Sequence, residues 1–296
     1  MNIFITGDTG FVGQYFINHF AENFNFVPFN RLKSIKINED IVIHLAGKSH
    51  DIRNASNPLE YYSVNTELTK NLFNAFLISN AKIFITLSSV KAAADTLETA
   101  LTEEYTPNPV THYGKSKLFA EQYILNKTIP EGKRVYILRP CMIHGPDNKG
   151  NLNLLNQFVS KGIPWPLGAF ENKRSFCSID NLCFVINELI INETIPSGVY
   201  NIADDEPLGI NDLIKLIADS QEKKYYILNF PKSIIKLLSK LGDFLKLPLN
   251  SERLNKLTET YIVSNNKVIT AINKPLPLST KEGLMKTLNS FNTNAK

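Results

Sequence analysis

The first 140 residues alternate between short apolar runs and longer stretches in which apolar positions recur with helical periodicity. Such runs predict strands buried on both faces, as in a parallel sheet. The predicted strands cover residues 3–6, 26–29, 41–46, 83–88 and 135–139, and the predicted helices cover residues 11–21, 59–78 and 113–126. This alternation predicts a doubly wound α/β fold with a parallel sheet of seven strands or slightly fewer. Ligands of such sheets bind at the carboxyl ends of the strands, so polar motifs at those ends are candidates for a site.

The pattern changes after Pro146, where the elements become shorter and prolines become frequent. We therefore predict a main α/β domain over residues 1–150, with return segments near residues 175–203. Residues 151–296 are expected to form mainly a smaller, mixed α/β lobe that binds the substrate.

Composition narrows the function classes. The 296 residues are 43% hydrophobic and 20% charged, which is ordinary for a globular protein. The formal net charge of +4 is mild and the lysines are scattered, so no nucleic-acid partner is expected. One cationic stretch, residues 223–246, mixes lysine with Leu and Ile as an amphipathic helix does. A helix that caps the second lobe is favoured there over contact with a membrane surface.

Targeting and metal signals are weak. No signal peptide and no apolar run of membrane-spanning length stand in the sequence, which favours a cytoplasmic protein without a membrane span. The cysteines, Cys141, Cys177 and Cys183, are odd in number and lack metal-ligand spacing. They are expected to be free thiols, with no metal site.

Three glycines follow the first predicted strand at intervals of three residues: Gly7, Gly10 and Gly13. Glycine permits a positive φ and a close approach of the backbone, so a pyrophosphate can bind the amides at the start of the following helix. No Lys-Ser or Lys-Thr follows Gly13, which disfavours a P-loop for nucleoside triphosphates. The turn therefore predicts a dinucleotide site.

A second motif stands at the start of the third predicted helix, where Tyr113 and Lys117 are four residues apart. On a helix the two side chains lie on one face. A phenol keeps its proton until about pH 10, and a nearby ammonium group lowers that pKa. We therefore expect Tyr113 to have a lowered pKa and to exchange a proton with a substrate hydroxyl or carbonyl.

Together with further motifs, these features resemble the extended short-chain dehydrogenase/reductase family, also described as NAD-dependent epimerases and dehydratases. The motifs occur in the family's order and at its intervals over nearly the whole chain. They are the three glycines, His44-Leu45-Ala46-Gly47, Asn65, Ser88-Ser89, Tyr113-x-x-x-Lys117 and Arg139-Pro140-x-x-Ile143-x-Gly145-Pro146. His50 and residues 87–91, 166–169 and 172–176 resemble the bacterial nucleotide-sugar branch. The most similar pattern there belongs to reductases of UDP-4-keto-6-deoxy-N-acetylhexosamines.

The resemblance implies a Rossmann-like fold and a catalytic group of three residues. Tyr113 would act as the acid, Ser89 would orient the carbonyl, and Lys117 would tune Tyr113 and bind the nicotinamide ribose. Ser88 is the alternative to Ser89, because the family's catalytic serine could correspond to either of these neighbouring residues.

The resemblance also assigns ligand contacts. The backbone from Pro140 to Ile143 would face the cofactor's carboxamide, and two arginines would grip a diphosphate. The implied cofactor contacts are Gly7, Gly10, Phe11, Val12, Gly13, Asn30, Arg31, Leu45, Ala46, Gly47, Asn65, Ser88, Tyr113, Lys117, Pro140 and Ile143. The implied substrate contacts are His50, Lys91, Asn151, Arg174 and Arg253.

The chain also departs from the family pattern. Many relatives carry Asp at the end of the second strand, whereas Asn30 and Arg31 stand here. Arg31 would pair with a 2′-phosphate, so NADP(H) is favoured over NAD(H). The few residues between Arg31 and Ile41 predict a short adenine pocket. Ala92-Ala93-Ala94 lacks a frequent aromatic of the pocket wall, and His144 replaces a frequent tyrosine.

Three functions follow from this pattern. The leading one is NADPH-dependent reduction of the 4-keto group of a UDP-linked 6-deoxy-N-acetylhexosamine in surface polysaccharide biosynthesis. The alternatives are an NAD-dependent nucleotide-sugar 4-epimerase and a non-catalytic dinucleotide-binding sensor or scaffold. Intact Ser89, Tyr113 and Lys117 argue against the last. The identity of the sugar, the stereochemistry at carbon 4 and the assembly state, a homodimer included, stay open.

Overall fold

The computed structural model describes residues 1–30, 32, 34–48, 57–148, 150–245 and 250–293. The strands are β1 (Asn2–Thr6), β2 (Asn25–Pro28), β3 (Ile41–His44), β4 (Ile83–Leu87), β5 (Arg134–Pro140), β6 (Met142–His144), β7 (Phe176–Ser178) and β8 (Gly198–Ile202). The helices of the first half are α1 (Phe11–Phe20), α2 (Pro58–Tyr61), α3 (Leu68–Ile78) and α4 (His112–Leu125). A π-helical turn (Tyr62–Glu67) joins α2 to α3, and a 3₁₀ turn spans Val90–Ala92. The later helices are α5 (Asn151–Ser160), α6 (Ile179–Ile191), α7 (Ile210–Ser220), α8 (Lys232–Leu245), α9 (Ser251–Thr258), α10 (Asn266–Ile272) and α11 (Thr280–Thr293).

Six of the strands form one parallel sheet in the order β2-β1-β3-β4-β5-β8. The predicted doubly wound α/β fold is confirmed, and each predicted strand of the first half is present within one or two residues. β6 and β7 form a separate parallel pair beyond the carboxyl end of β5.

The sheet is buried on both faces, and alternate residues of each strand point to different cores. Ile3, Ile5, Tyr136 and Leu138 pack with α1 and α6. Their neighbours in the strands pack with α3 and α4 on the other face, in a cluster of Phe4, Val42, Phe84, Val135, Ile137, Leu72, Phe73, Phe76 and Ile124. This two-sided burial explains why the strands read as continuous apolar runs rather than as alternating ones.

The sheet ends at β2, which pairs with β1. The described residues 34–40 form neither helix nor strand before β3 begins. The short adenine pocket expected at this edge stays a prediction.

A second hydrophobic core lies in the C-terminal lobe. It includes Trp165, Phe176, Leu213, Ile217 and Leu284, with contributions from α5, α7 and α11. β8 belongs to the main sheet, and α6 and α10 pack on the core beside it. The boundary at residue 150 stays a prediction.

The cysteines are free thiols, as expected. Cys177 and Cys183 are buried, and burial raises the pKa of both thiols. Within the described residues, no group of His, Cys, Asp and Glu is arranged to hold a metal ion. No helix in that part of the chain has the length and apolarity needed to cross a bilayer.

A buried ion pair attaches α4 to the sheet. Arg139 of β5 donates from Nη2 to Oε2 of Glu121 at 2.5 Å and from Nε to Oε1 at 3.0 Å. Ser88 donates its hydroxyl to the same carboxylate. Glu121 and Arg139 are 1% and 3% exposed, so neither charge has much contact with water.

Removing one partner of this pair should destabilise the fold strongly. Arg139→Leu leaves the Glu121 carboxylate buried without its cation, so we expect a loss of about 3–5 kcal/mol in the free energy of unfolding. Lys70→Ala, which breaks the exposed pair between Lys70 and Glu67, is the control and should change stability by roughly 0–1 kcal/mol. Urea unfolding followed by circular dichroism measures both. Similar effects of the two substitutions would contradict a structural role for the buried pair.

Candidate active site

The turn between β1 and α1 forms a cradle for an anion. Gly7 has φ +75°, and a Cβ there would lie 2.6 Å from the backbone nitrogen of Ala46. Gly10 begins α1 without a side-chain cap, and the first helical turn carries no acidic residue. Gly13 packs against the carbonyl of Gly7. The amides of Phe11 and Val12 lie at this helix start, so the cradle fits the pyrophosphate of a dinucleotide.

The end of β3 closes the same crevice. Leu45 donates its amide to the carbonyl of Thr6, and Ala46 donates its amide to the hydroxyl of Thr6. Gly47 follows, and a Cβ there would lie 2.9 Å from the ammonium nitrogen of Lys117. The predicted cofactor residues of β1 and β3 are thus brought next to the predicted catalytic lysine.

Asn65 lies in the π-helical turn and is fully buried. Its side-chain oxygen accepts from the amide of Lys48 at 2.8 Å, and its nitrogen donates to the hydroxyl of Ser116 at 3.0 Å. Asn65 therefore ties the loop after β3 to α4, which is a positioning role. Insertions of this π type are rare and occur often at functional sites.

Lys117 reaches the carboxyl end of β4, where its Nζ donates to the carbonyl of Leu87 at 2.8 Å. The side chain is buried, and this burial lowers the pKa of the ammonium group to about 8. The charged form still dominates at neutral pH.

Tyr113, one turn earlier, forms a hydrogen bond with the side chain of Ser89. Our expectation of a lowered phenol pKa is wrong for this structure: burial raises the pKa of Tyr113, and the bond to Ser89 offsets the rise only in part. Burial destabilises the phenolate by more free energy than the hydrogen bond from Ser89 restores. Tyr113 therefore keeps its proton at neutral pH, as a proton donor must.

The two serines after β4 have different surroundings. The hydroxyl of Ser88 is bound to Glu121 in the interior, whereas that of Ser89 lies beside Tyr113 and accepts the amide of Lys91 at 3.2 Å. The geometry favours Ser89 over Ser88 as the group that orients a carbonyl. Ser88 is one of the expected cofactor contacts. In this structure its hydroxyl is bonded to Glu121, and this bond helps to hold α4.

Asp95, which the sequence analysis missed, fixes the serine loop against the start of α4. Its carboxylate accepts from the amides of Val110 and Thr111 at 2.7 and 3.2 Å, and from the hydroxyl of Thr111 at 3.2 Å. Thr111 in turn caps α4 by accepting the amide of Gly114 at 3.2 Å. Asp95 thereby sets the position of Tyr113 relative to Ser89.

Gly114 makes this approach possible. A Cβ at Gly114 would collide with the carbonyl of Lys91 and would lie 2.8 Å from Cβ of Pro109. A glycine inside a predicted helix often has a packing reason, and Gly114 is the sign in the sequence that another segment packs on the start of α4.

Lys91 lies where the serine loop meets the C-terminal lobe. Its Nζ donates to the carbonyl of Asp95 at 2.7 Å and sits 4.3 Å from the ring centre of Tyr261. Burial lowers the pKa of Lys91, and the charges of Glu259 and Asp95 oppose this shift in part. The alanines at 92–94 were expected to leave the pocket wall without an aromatic side chain. Tyr261, from the C-terminal lobe, packs with Val90 and Ala93 and places an aromatic ring there.

Of the two arginines predicted to bind a diphosphate, one is bonded to α9 and the other is part of it. Arg174 donates from Nη1 to the carbonyl of Lys256, and Arg253 is exposed on the same helix. Asn151 begins α5. Arg31 and His50 lie outside the described residues.

The remaining predicted cofactor contacts lie at strand ends. Asn30 is exposed just after β2, and its side chain accepts the amide of Leu32 at 2.9 Å. Pro140 ends β5 and is buried, and Ile143 lies in β6. Asn148 donates to the carbonyl of Ile143 at 2.9 Å, which holds the loop after β6.

Two histidines near the crevice are structural. His44 lies between the hydroxyls of Thr6 and Thr69, and burial lowers its pKa to about 3, so the ring is neutral as expected for a core histidine. His144, which replaces the frequent tyrosine, is buried between Thr287 and Asp204 at 2.9 and 3.3 Å.

Comparison with known proteins identifies the family. Residues 3–203 match the family model described as the NAD dependent epimerase/dehydratase family. The chain belongs to this family. Membership of this family, the glycine cradle and the Ser89–Tyr113 pair together indicate that the protein is an NAD(P)-dependent enzyme.

Individual relatives of the family cover the chain well. A UDP-glucose 4-epimerase of Vibrio cholerae is 27% identical over 98% of this chain and 95% of its own. A GDP-6-deoxy-D-talose 4-dehydrogenase of Aggregatibacter actinomycetemcomitans is 30% identical over 74% of this chain and 80% of its own.

Solved structures share the fold. RMD of Pseudomonas aeruginosa, in complex with NADPH, has a TM-score of 0.75 and 22% identity, with 99% of both chains covered. A UDP-glucuronic acid 4-epimerase of Bacillus cereus, in complex with NAD, has a TM-score of 0.76 and 20% identity, with 100% of both chains covered.

Asp95→Ala should slow turnover without touching the reacting groups. Loss of the carboxylate frees the start of α4, and a displaced Tyr113 should lower kcat by roughly tenfold to a hundredfold with little change in KM. Glu98→Ala, at an exposed residue of the same loop, is the control. Asp95→Asn keeps one acceptor oxygen and should restore part of the rate. Steady-state kinetics in which Asp95→Ala and Glu98→Ala match would rule out the positioning role.

Proposed function

We propose that this enzyme uses NADPH to reduce the 4-keto group of a UDP-linked 6-deoxy-N-acetylhexosamine in surface polysaccharide biosynthesis. The observation that carries the proposal is the hydrogen-bonded pair of Ser89 and Tyr113 beside the buried Lys117, at the strand ends next to the glycine cradle. This arrangement suits hydride addition to a carbonyl. The resemblance of residues 87–91 to the reductase branch supports the choice of substrate.

Reduction of a ketone requires a proton at the oxygen as the carbon accepts hydride, which the bound nicotinamide cofactor supplies. Tyr113 is protonated at neutral pH because burial raises its pKa, so it can donate that proton. The hydroxyl of Ser89 holds the carbonyl oxygen beside the phenol. The Lys117 ammonium group then stabilises the phenolate that remains.

The short connection between β2 and β3 favours a reductase over an epimerase. A reductase releases oxidised cofactor after each reaction, whereas an epimerase keeps its cofactor. Among the described residues the sheet ends at β2, and residues 34–40 add no helix or strand there, which suits a cofactor that is released after each reaction. Arg31, placed by sequence after β2, supports NADPH over NADH through pairing with the 2′-phosphate.

The lobe supplies groups that suit a nucleotide sugar. Arg253 is part of α9 and Arg174 is bonded to a carbonyl of that helix, and two guanidinium groups can bind a diphosphate through paired hydrogen bonds. The amide of Lys91 donates to the hydroxyl of Ser89, and its ammonium group interacts electrostatically with Arg174, which supports a place for Lys91 beside the sugar.

A nucleotide-sugar 4-epimerase is the second candidate. The Vibrio cholerae UDP-glucose 4-epimerase resembles this protein over nearly its whole length, which favours chemistry at carbon 4 in either reaction. A non-catalytic sensor or scaffold is disfavoured, because Ser89, Tyr113 and Lys117 are all present and adjacent.

Tyr113→Phe should abolish most activity while the fold and cofactor binding persist. Loss of the proton donor should lower kcat by about a hundredfold or more. Tyr105→Phe, which removes a phenol hydroxyl from an exposed tyrosine, is the matched control. Steady-state kinetics and NADPH titration of both variants measure the effect. Full activity of Tyr113→Phe would assign the proton to another group.

The reaction type is tested by cofactor consumption. We expect stoichiometric loss of NADPH absorbance on addition of a UDP-4-keto-6-deoxy-N-acetylhexosamine, tighter binding of NADPH than of NADH, and loss of most of that preference in Arg31→Ala. The purified protein should carry little bound NAD. Interconversion of UDP-N-acetylglucosamine and UDP-N-acetylgalactosamine without added cofactor would instead establish the epimerase. Equal affinities for the two cofactors would count against the role of Arg31.

A further inference from the structure

Helix α8 contacts the C-terminal lobe through only a narrow row of its residues. Ile235, Ser239 and Gly242 are buried, and Ile235 joins the core of the lobe. Phe244 and Leu237 are 86% and 61% exposed. The exposed apolar residues, which we call the α8 face, are Ile234, Leu237, Leu238, Leu241, Phe244 and Leu245.

The α8 face is a continuous stripe, because its residues recur at intervals of three and four. The sequence predicted an amphipathic helix that caps the lobe. The helix is present, but most of its apolar side chains face solvent rather than the lobe.

Apolar exposure continues into the segment before α8. Tyr226, Leu228 and Phe230 are exposed at alternate positions, while Tyr225 and Ile227 pack on the lobe core. The backbone of this segment is held in an extended form by hydrogen bonds with Trp165. Large exposed apolar surfaces of this kind mark sites that bind a membrane or another protein.

Lysines accompany the apolar stripe. Lys232, Lys236 and Lys240 recur every four residues on another exposed part of α8, and Lys223 and Lys224 are exposed before it. The acidic residue of α8, Asp243, accepts the amide of Ser251 at 2.9 Å at the start of α9. Between residues 222 and 245, five lysines are set against two acidic residues, Glu222 and Asp243, so this part of the surface carries a net positive charge.

We propose that the α8 face binds an anionic lipid bilayer, with the helix lying in the plane of the surface. Apolar side chains of such a helix enter the boundary between headgroups and acyl chains, and lysines on the polar part attract anionic headgroups. A second copy of the chain fits less well. A two-fold contact brings the same surface of both copies together, so the lysines of each α8 would approach those of the other.

Bilayer binding would bring the candidate site near the membrane. α8 packs on α9, which carries Arg253, and α9 is bound by Arg174 through the carbonyl of Lys256. The lipid surface would thus lie one helix away from the arginines at the edge of the site. This inference goes beyond the proposed reaction and does not depend on it.

Co-sedimentation of the full chain with vesicles tests the proposal. We expect binding to vesicles of phosphatidylglycerol and phosphatidylcholine, weak binding to phosphatidylcholine alone, and release by salt. The double variant Leu238→Glu/Leu241→Glu should reduce binding by about tenfold or more. Ile191→Glu, at an apolar residue of similar exposure on α6, is the control and should bind as the native chain does.

A second variant tests the charge independently. Lys236→Glu/Lys240→Glu changes only exposed side chains, so it keeps the test valid if the apolar variant fails to fold, and it should weaken binding to anionic vesicles. Native protein that stays in the supernatant, or unchanged binding in folded variants of either pair, would overturn the proposal. If the native protein does not bind vesicles but forms a dimer, and Leu238→Glu/Leu241→Glu dissociates that dimer, the α8 face would be assigned to contact with a second copy.

Discussion

The ion pair between Glu121 and Arg139 is the interaction on which the arrangement of the site depends. It joins the middle of α4 to β5, and Ser88 adds a hydrogen bond from the end of β4. Buried charges are stable only when they are paired and well bonded, so α4 has one acceptable position over the sheet. Lys117, one turn before Glu121, is thereby brought to the carbonyl of Leu87, and Tyr113 to Ser89.

The start of α4 is fixed by different means. Asp95 binds its first amides, and Gly114 lets the carbonyl of Lys91 come close enough to pack on the helix. These groups act through the positions of Tyr113 and Ser89 rather than through a ligand. The reacting side chains are consequently held in place by the folded chain itself, which is what preorganised catalysis requires.

Local patterns in the sequence were sufficient for the sheet, for α1 and α4, and for the grouping of Ser89, Tyr113 and Lys117. They failed where tertiary contact decides. Asp95 and Tyr261 belong to no motif: Asp95 bonds to residues 15 and 16 positions further along the chain, and Tyr261 comes from the C-terminal lobe. The pKa of Tyr113 rises because of burial, which a motif does not report. The apolar period of α8 predicts a helix, but it does not say how much of the apolar side is covered.

The position of β2 at the edge of the sheet has a consequence for solubility. Within the described residues β2 pairs with β1 alone, so its other side presents backbone groups that a foreign strand could bind. The strand has only four residues, and the last of them, Pro28, has no amide hydrogen to donate. The short length of β2 and the proline at its end thus limit the addition of a foreign strand, and with it aggregation. This protection is needed because the outer side of β2 is unpaired within the described residues.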